Sequence, residues 1–167
     1  MGEVASVYEL ARSAVAEPAA ALLMLRAHPD SLHARTSTGE TALHYLTVEN
    51  HPGGAGFLIR QGADVNTRND FGDTPLMNAA GLNYPDMCRL LIEHGAEVNL
   101  GNNEGETALH QAAARGAEKI VDLLLESGAD AHVRDSLGQS PLDVALPRKR
   151  AEVMAVLARH GYHATRS

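Results

Sequence analysis

The sequence predicts an all-α solenoid of stacked helix-turn-helix units joined by β-turn or hairpin fingers. The evidence is a 33-residue period held by two motifs. TALH at residues 41–44 recurs as TPLM at 74–77, TALH at 107–110 and SPLD at 140–143. GAD at 62–64, GAE at 95–97 and GAD at 128–130 keep the same period. A fixed period of this length is typical of repeat proteins, in which stacking of the units creates the core.

Each unit begins with a short inner helix. Thr or Ser opens every motif and is a favoured N-cap, and Pro75 and Pro141 follow where the missing N–H has no cost. In the third copy, Leu109, Ala112 and Ala113 share one face at i, i+3 and i+4. We expect the small residues to let this helix lie close to its neighbours.

A second, antiparallel helix and a finger complete the unit. Gly116 is expected to end the inner helix of the third copy, and Gly128 to close the outer one in the left-handed region. The stretch 129–139 then forms a turn-rich finger. In the first copy, glycines at 53, 54 and 56 open the outer helix, and each costs about 1 kcal/mol relative to Ala in a helix interior. We therefore expect residues 49–57 to be the most mobile part of the repeat interior.

The recurring motifs resemble those of the ankyrin-repeat family. The family pattern runs Gly-x-Thr-Pro-Leu-His, two Ala, and Leu-Leu-x-x-Gly-Ala-Asp-Val-Asn. Residues 105–132 follow it most closely. The resemblance implies one ankyrin-repeat domain over residues 1–167. It divides into a degenerate N-terminal capping repeat at 3–33, repeats 1, 2 and 3 at 34–66, 67–99 and 100–132, and a C-terminal capping repeat at 133–167.

The composition excludes several classes of function. A net charge of −7 disfavours nucleic-acid binding, which requires clustered Lys and Arg. The N-terminus has no basic region, and no apolar stretch is long enough for a signal peptide or membrane span. The single Cys88 cannot form an internal disulfide, which favours a reducing compartment. We therefore expect a cytoplasmic protein, active as a monomer, that binds neither nucleic acid nor membrane.

No residue pattern indicates an enzyme, a cofactor or a metal site. The resemblance gives His44 and His110 a structural role, with hydrogen bonds within and between repeats. Cys88 falls at an inward position of an outer helix, where a thiol is inert rather than nucleophilic. We expect no catalytic residue, no cofactor and no metal. A cleft lined by clustered titratable groups would revive an enzyme with an unfamiliar site.

The family resemblance raises one chemical modification. Asn66 and Asn99 each follow an acidic residue and a valine, with Leu58 and Leu91 eight residues upstream. Such stretches are similar to sites that an asparaginyl hydroxylase modifies in ankyrin proteins. The alternative is that each asparagine caps the turn into its finger.

The resemblance also implies where a partner binds, namely the concave face formed by finger tips and inner helices. Phe71 falls on a tip, either as an anchor for a partner or folded against the next finger. Acidic residues at the tips favour a protein partner with a basic patch, although Arg35, Arg68 and Arg134 at the finger bases would pair with some of them. The candidate partner-binding residues are Tyr45, Asp70, Phe71, Asp73, Asn78, Leu82, Glu104, Gln111, Arg115 and Leu137.

The expected function is a non-enzymatic protein–protein interaction module, a scaffold or adaptor. The alternative is an inhibitor or antidote subunit that neutralises a specific enzyme or toxin. This alternative predicts a tight, stoichiometric complex that blocks the target's active site.

Overall fold

A computed structural model describes residues 6–145 and 151–162. In these residues it contains helices and no strand, which confirms the all-α solenoid. A short 3-10 helix at Pro29–His33 follows the second helix. The α-helices are α1 Val7–Ala16, α2 Pro18–Ala27, α3 Ala42–Val48, α4 Pro52–Arg60, α5 Pro75–Leu82, α6 Pro85–Glu93, α7 Ala108–Arg115, α8 Glu118–Glu126, α9 Pro141–Ala145 and α10 Ala151–Arg159.

The helices form two layers. The inner helices α1, α3, α5, α7 and α9 pack side by side in chain order, and the outer helices α4, α6, α8 and α10 pack in a second row behind them. Each pair in sequence, such as α5 and α6, packs together as one unit. The fingers leave this stack between an outer helix and the next inner helix.

The core between the layers repeats with the sequence period. Leu43, Leu76 and Leu109 are fully buried at the same position of successive inner helices. Leu58, Leu91 and Leu124 are fully buried in the outer helices that face them. Burying a leucine side chain contributes roughly 1.5–3 kcal/mol, so these two rows provide much of the cohesion between units.

The N-terminal helices keep the same buried positions. Leu10 in α1 and Leu25 in α2 are buried 33 residues before Leu43 and Leu58. α1 packs against α3 as the other inner helices pack against each other. Residues 3–5 of the expected N-terminal cap, and residues 146–150 and 163–167 of the expected C-terminal cap, lie outside the described residues.

The glycine-rich outer helix of repeat 1 forms in spite of its composition. α4 spans Pro52–Arg60, and Gly54 and Gly56 in its first turns are buried. A Cβ atom at Gly54 would lie 3.0 Å from Cγ2 of Val15 and 3.2 Å from Cδ1 of Leu46. The missing side chain at Gly54 therefore permits a close approach of α1 and α3, which offsets part of its low helix propensity.

None of the helices in the described part of the chain is long and apolar enough to cross a membrane.

Candidate protein-binding surface

One side chain in each finger holds its loop in shape. Oδ1 of Asn69 accepts hydrogen bonds from the backbone N–H of Phe71 at 3.0 Å and of Asp73 at 2.9 Å. This is an Asx turn, in which a short polar side chain replaces a backbone acceptor. Thr36, Asn102 and Asp135 accept the equivalent pairs of bonds in the other fingers. The sequence analysis missed this register, although it keeps the 33-residue period and the same search would have found it.

Backbone hydrogen bonds join the finger tips into one continuous edge. The N–H of Asp70 donates to the carbonyl of Thr38 at 3.0 Å, and that of Asn103 donates to the carbonyl of Phe71 at 3.0 Å. The N–H of Ser136 donates to the carbonyl of Glu104 at 2.7 Å. Because each tip is bonded to the next, the tip side chains are presented from a fixed backbone.

The arginines at the finger bases connect neighbouring fingers. Arg35 donates to the carbonyl of Arg68 at 2.6 Å, and Arg68 donates to the carbonyl of Gly101 at 2.8 Å. Arg134 contacts Asp143 at 3.2 Å, which belongs to α9 and not to a tip. The expected pairing of these arginines with tip carboxylates is therefore wrong, because the guanidinium groups reach backbone carbonyls and a helix residue instead.

Repeat 1 is joined to the finger of repeat 2 by a buried histidine. The backbone N–H of Thr41 donates to Nδ1 of His44 at 3.2 Å, and Nε2 lies 3.0 Å from the carbonyl oxygen of Asp73. Since a backbone N–H can only donate, Nδ1 is the acceptor and Nε2 carries the proton that it donates to Asp73. Burial lowers the pKa of His44, which keeps the ring neutral. The structural role expected for His44 agrees with these contacts.

Repeats 2 and 3 differ at this position. His110 in repeat 3 makes the same contacts, with Nε2 at 3.0 Å from the carbonyl of Gln139. Repeat 2 has Met77, whose backbone N–H donates to Oγ1 of Thr74 at 3.3 Å. A thioether has no N–H to donate, so Met77 cannot make the bond to the following finger that both histidines make.

A groove lies over repeat 2, between the finger tip and the C-terminal end of α5. Its volume is about 440 Å³. Phe71 on the tip is 62% exposed and Leu82 at the end of α5 is 38% exposed, so the groove has apolar groups at both ends. Phe71 therefore does not fold against the next finger. The residues that line this repeat-2 groove are Glu40, Val48, Asn69, Phe71, Asp73, Met77, Asn78, Gly81, Leu82 and Gln111.

Half of the candidate binding residues lie in this groove, and half lie elsewhere. Asp70 and Glu104 are exposed on neighbouring tips, and Leu137 is exposed on the tip of the last finger. Arg115 is exposed at the end of α7. The candidates within the groove are Phe71, Asp73, Asn78, Leu82 and Gln111.

Tyr45 faces a different cleft from the one over repeat 2. Its ring contacts the ring of Tyr8 edge to face, with centroids 5.3 Å apart. With Val15 and Glu49 it lines a smaller cleft of about 230 Å³ between α1 and α3. Tyr45 therefore does not line the repeat-2 groove with Phe71 and Leu82. The repeat pattern did not indicate its aromatic neighbour in α1.

Val48 and Met77 are groove residues that the sequence analysis missed. Val48 ends α3, and its side chain is partly exposed at the edge of the groove. Met77 is buried and forms part of the floor. The sequence did contain a signal for Met77, since it departs from the histidine found at this position in repeats 1 and 3.

Two carboxylates, Glu40 and Asp73, line the groove, and those of Asp70, Glu104 and Glu106 lie on the fingers beside it. None of Glu40, Asp70, Asp73, Glu104 and Glu106 forms an ion pair with another described residue. Burial raises the pKa of Glu106, and the nearby carboxylates of Glu104 and Asp135 add to the rise. Nε2 of Gln111 donates to Oε2 of Glu106 at 2.6 Å. These carboxylates therefore place negative charge on the finger side of the repeat stack.

Asn66 and Asn99 join successive repeats through both ends of their amides. Asn66 accepts from the N–H of Glu97 at 2.9 Å and donates to the carbonyl of Gly95 at 3.3 Å. Asn99 makes the equivalent contacts one repeat later, with the N–H of Asp130 at 2.8 Å and the carbonyl of Gly128 at 3.0 Å. These bonds give both asparagines a structural role, and their hydroxylation stays a prediction.

The one cysteine of the chain, Cys88, is buried in the repeat stack. Burial raises the pKa of Cys88 to about 12, so its thiol is protonated and a poor nucleophile at neutral pH. Among residues 6–145 and 151–162, no group of three or more His, Cys, Asp or Glu side chains is placed to hold a metal ion.

A family model described as ankyrin repeats (3 copies) matches the chain at residues 49–135 and 98–167. Together the two matches extend from the middle of repeat 1 to the last residue. No curated protein matches the chain.

Proposed function

The chain belongs to the ankyrin-repeat family, and we propose that it is a non-enzymatic module that binds a protein partner through its concave face. Ankyrin repeats are generally protein–protein interaction modules and typically have no enzymatic activity. The concave face is the surface formed by the fingers and the inner helices. The repeat-2 groove lies near the middle of this face.

The position of exposed apolar side chains is the observation that supports this proposal. Among the described residues, exposed large hydrophobic side chains lie on inner helices or fingers, except for Leu23 in α2. Clustered exposed apolar groups on one side of a protein mark an interaction surface, whereas isolated ones are ordinary. Phe71 and Leu82 are suited to be anchors, because a few buried apolar contacts dominate the energy of most interfaces.

The finer features of the proposal rest on charge and composition. We propose that the contacting surface of the partner carries basic residues, on the ground that the tip carboxylates have no cationic partner among the described residues. We also propose a cytoplasmic monomer that acts as a scaffold or adaptor. The sole cysteine, Cys88, is consistent with a reducing compartment.

Affinity capture from a lysate of the source organism tests the proposal. The baits are the wild-type chain, Phe71→Ala, Leu82→Ala and the matched control Leu23→Ala. Phe71 and Leu23 are 62% and 65% exposed, so both substitutions remove a similar apolar side chain from solvent. We expect the same protein to be retained by wild type and by Leu23→Ala, and retention to fall at least tenfold with Phe71→Ala, which corresponds to about 1.4 kcal/mol.

Two outcomes count against the concave face. Retention lost with Leu23→Ala and kept with both groove variants would place binding on the outer helices. Equal retention by all four baits would exclude Phe71 and Leu82 as anchors. An inhibitor or antidote would be recognised in the same experiment if the retained protein is an enzyme or toxin whose activity is lost in a one-to-one complex.

A further inference from the structure

The repeat-2 groove and the carboxylates beside it define what kind of partner segment fits. We propose that the groove binds a protein segment in which an aromatic or aliphatic side chain is flanked by Lys or Arg residues. This inference rests on the proposed function and specifies the partner's chemistry at the groove.

Three exposed apolar side chains of the groove can contact the apolar residue of the partner segment. Phe71 is exposed on the tip, Leu82 is exposed at the end of α5, and Val48 borders the groove from α3. Met77 supplies a buried apolar floor between them. A side chain that enters here removes apolar surface on both partners from water, which favours binding.

The basic part of the segment is set by a row of carboxylates along the fingers. Glu40, Asp73 and Glu106 occupy the same position in successive fingers, and all three are partly buried. Glu40 and Asp73 line the groove, and Glu106 is bonded to the groove residue Gln111. Partial burial strengthens the attraction of each carboxylate for a cation, relative to a fully solvated one.

The spacing of this row limits where the cations of the partner lie. The inner helices α3, α5 and α7 pack in order, and packed helix axes are about 8–10 Å apart. Carboxylates at equivalent positions therefore recur at about that distance along the face. A Lys or Arg on each side of one apolar anchor spans such an interval, so a single segment can satisfy both features.

The cations of this chain do not compete for the row. The guanidinium groups of Arg35 and Arg68 are bonded to backbone carbonyls of the following fingers. Arg115 is exposed at the end of α7, beyond Gln111. Arg115 marks the side of the groove at which the partner's basic stretch ends, because like charges disfavour its continuation there.

Selection from a displayed library of random peptides on the folded chain tests the inference. The selected peptides are then measured against Glu40→Gln/Asp73→Asn/Glu106→Gln and against the control Glu93→Gln/Glu118→Gln/Glu126→Gln. The control residues are exposed on the outer helices, and both variants lose the same three negative charges from a net charge of −7. Each replacement keeps the size of the side chain and a carbonyl acceptor.

We expect the selected peptides to contain Lys or Arg on both sides of an aromatic or aliphatic residue. Their affinity should fall about tenfold with the groove variant, because it removes the carboxylates that pair with the flanking cations. Affinity for the control should stay within about twofold, and added salt should weaken binding to wild type more than to the groove variant.

The outcomes separate this inference from the proposed function. Peptides that lose binding with Phe71→Ala or Leu82→Ala, yet bind the charge variant as tightly as wild type, leave the concave face intact and overturn the basic flanks. Peptides without enrichment in Lys or Arg overturn the inference as well. Failure to select any peptide whose binding depends on Phe71 or Leu82 overturns it together with the proposed anchors.

Discussion

Repeat 2 and its two neighbours make different use of one position in the inner helix. In repeats 1 and 3 a buried histidine accepts from the N-cap backbone and donates to a carbonyl of the next finger. In repeat 2 that position is Met77, which lines the floor of the groove. The histidines join neighbouring repeats by hydrogen bonds. The methionine lacks this inter-repeat hydrogen bond and adds an apolar surface below Phe71 and Leu82.

The last repeat shows a third arrangement at the same position. Asp143 accepts from the N–H of Ser140 at 3.0 Å and from its hydroxyl at 2.8 Å, so it closes the start of its own helix. It also pairs with Arg134 at the base of its own finger. The 33-residue period determines where this residue lies in each repeat. The chemistry of its side chain determines whether it bonds to the next repeat, caps its own helix or lines a binding surface.

Replacing the histidines of repeats 1 and 3 by methionine, as in repeat 2, should have the largest effect on stability. We expect His44→Met/His110→Met to lower the free energy of unfolding by about 2–6 kcal/mol, because each substitution leaves a buried backbone N–H and a carbonyl without their partner. Urea unfolding followed by circular dichroism measures this change. The exposed His94, replaced by Met as a control, should change stability by less than about 0.5 kcal/mol. A double variant as stable as wild type would contradict the role of the histidines in joining repeats.

Acidification should weaken the histidine arrangement. Burial lowers the pKa of His44, so the folded state binds this proton less readily than the unfolded chain does. Stability from this residue is complete above the unfolded pKa of about 6.5 and is lost as the pH falls below it, by at most about 1.4 kcal/mol per pH unit. Urea unfolding as a function of pH should show a shallower acid slope for His44→Met than for wild type. Identical slopes would rule out this contribution.

The helix cap formed by Asp143 in the last repeat should contribute less to stability than the two histidines. We expect Asp143→Ala to destabilise the chain by about 1 kcal/mol at neutral pH, since the start of α9 loses its side-chain acceptor. The hydrogen bonds from Ser140 lower the pKa of Asp143, so its contribution is present above about pH 4 and is lost as the pH falls through the lowered pKa. Thermal unfolding at neutral and acid pH checks both statements. Asp143→Asn, which keeps an acceptor, should lose less, and a larger loss with Asn than with Ala would refute the capping role.

Converting repeat 2 to the arrangement of its neighbours should have the smallest effect on stability. We expect Met77→His to raise the free energy of unfolding by about 0.5 kcal/mol, because the new N–H reaches the finger of repeat 3 while some apolar contact is lost. The same change should weaken binding of a groove-selected peptide, measured by calorimetry, because the floor becomes polar. A variant that is less stable and binds the peptide as tightly as wild type would show that Met77 has no special role in the groove.

Much of the fold was predictable from the period alone. Leu43 and Leu58 identified the two helical rows, and stepping back by 33 residues led to Leu10 and Leu25, which are buried as expected. Helix propensity alone could not reveal that the missing Cβ of Gly54 leaves room for Val15 of α1. Helix propensity describes a single helix, whereas this contact is between α4 and α1. The mobility expected for residues 49–57 stays a prediction.

The candidate binding surface was predictable only in part, since it depends on contacts between repeats. The sequence placed Phe71 on a tip but left its direction open, and its exposure settles that direction. Arg35 was expected to pair with an acid, whereas it reaches a carbonyl 33 residues away. Neither the direction of a side chain nor the competition between a carboxylate and a backbone carbonyl can be deduced from a repeat pattern.

Photo-crosslinking from defined positions tests the central claim, that the concave face over repeat 2 is the binding surface. A photoreactive phenylalanine analogue is placed at position 71, 82 or 23 of the full chain, which is then irradiated in cells of the source organism. We expect the analogue at 71 and at 82 to form an adduct with one and the same protein, and the analogue at 23 to form none with it. An adduct from position 23 alone would contradict the account and assign binding to the outer helices.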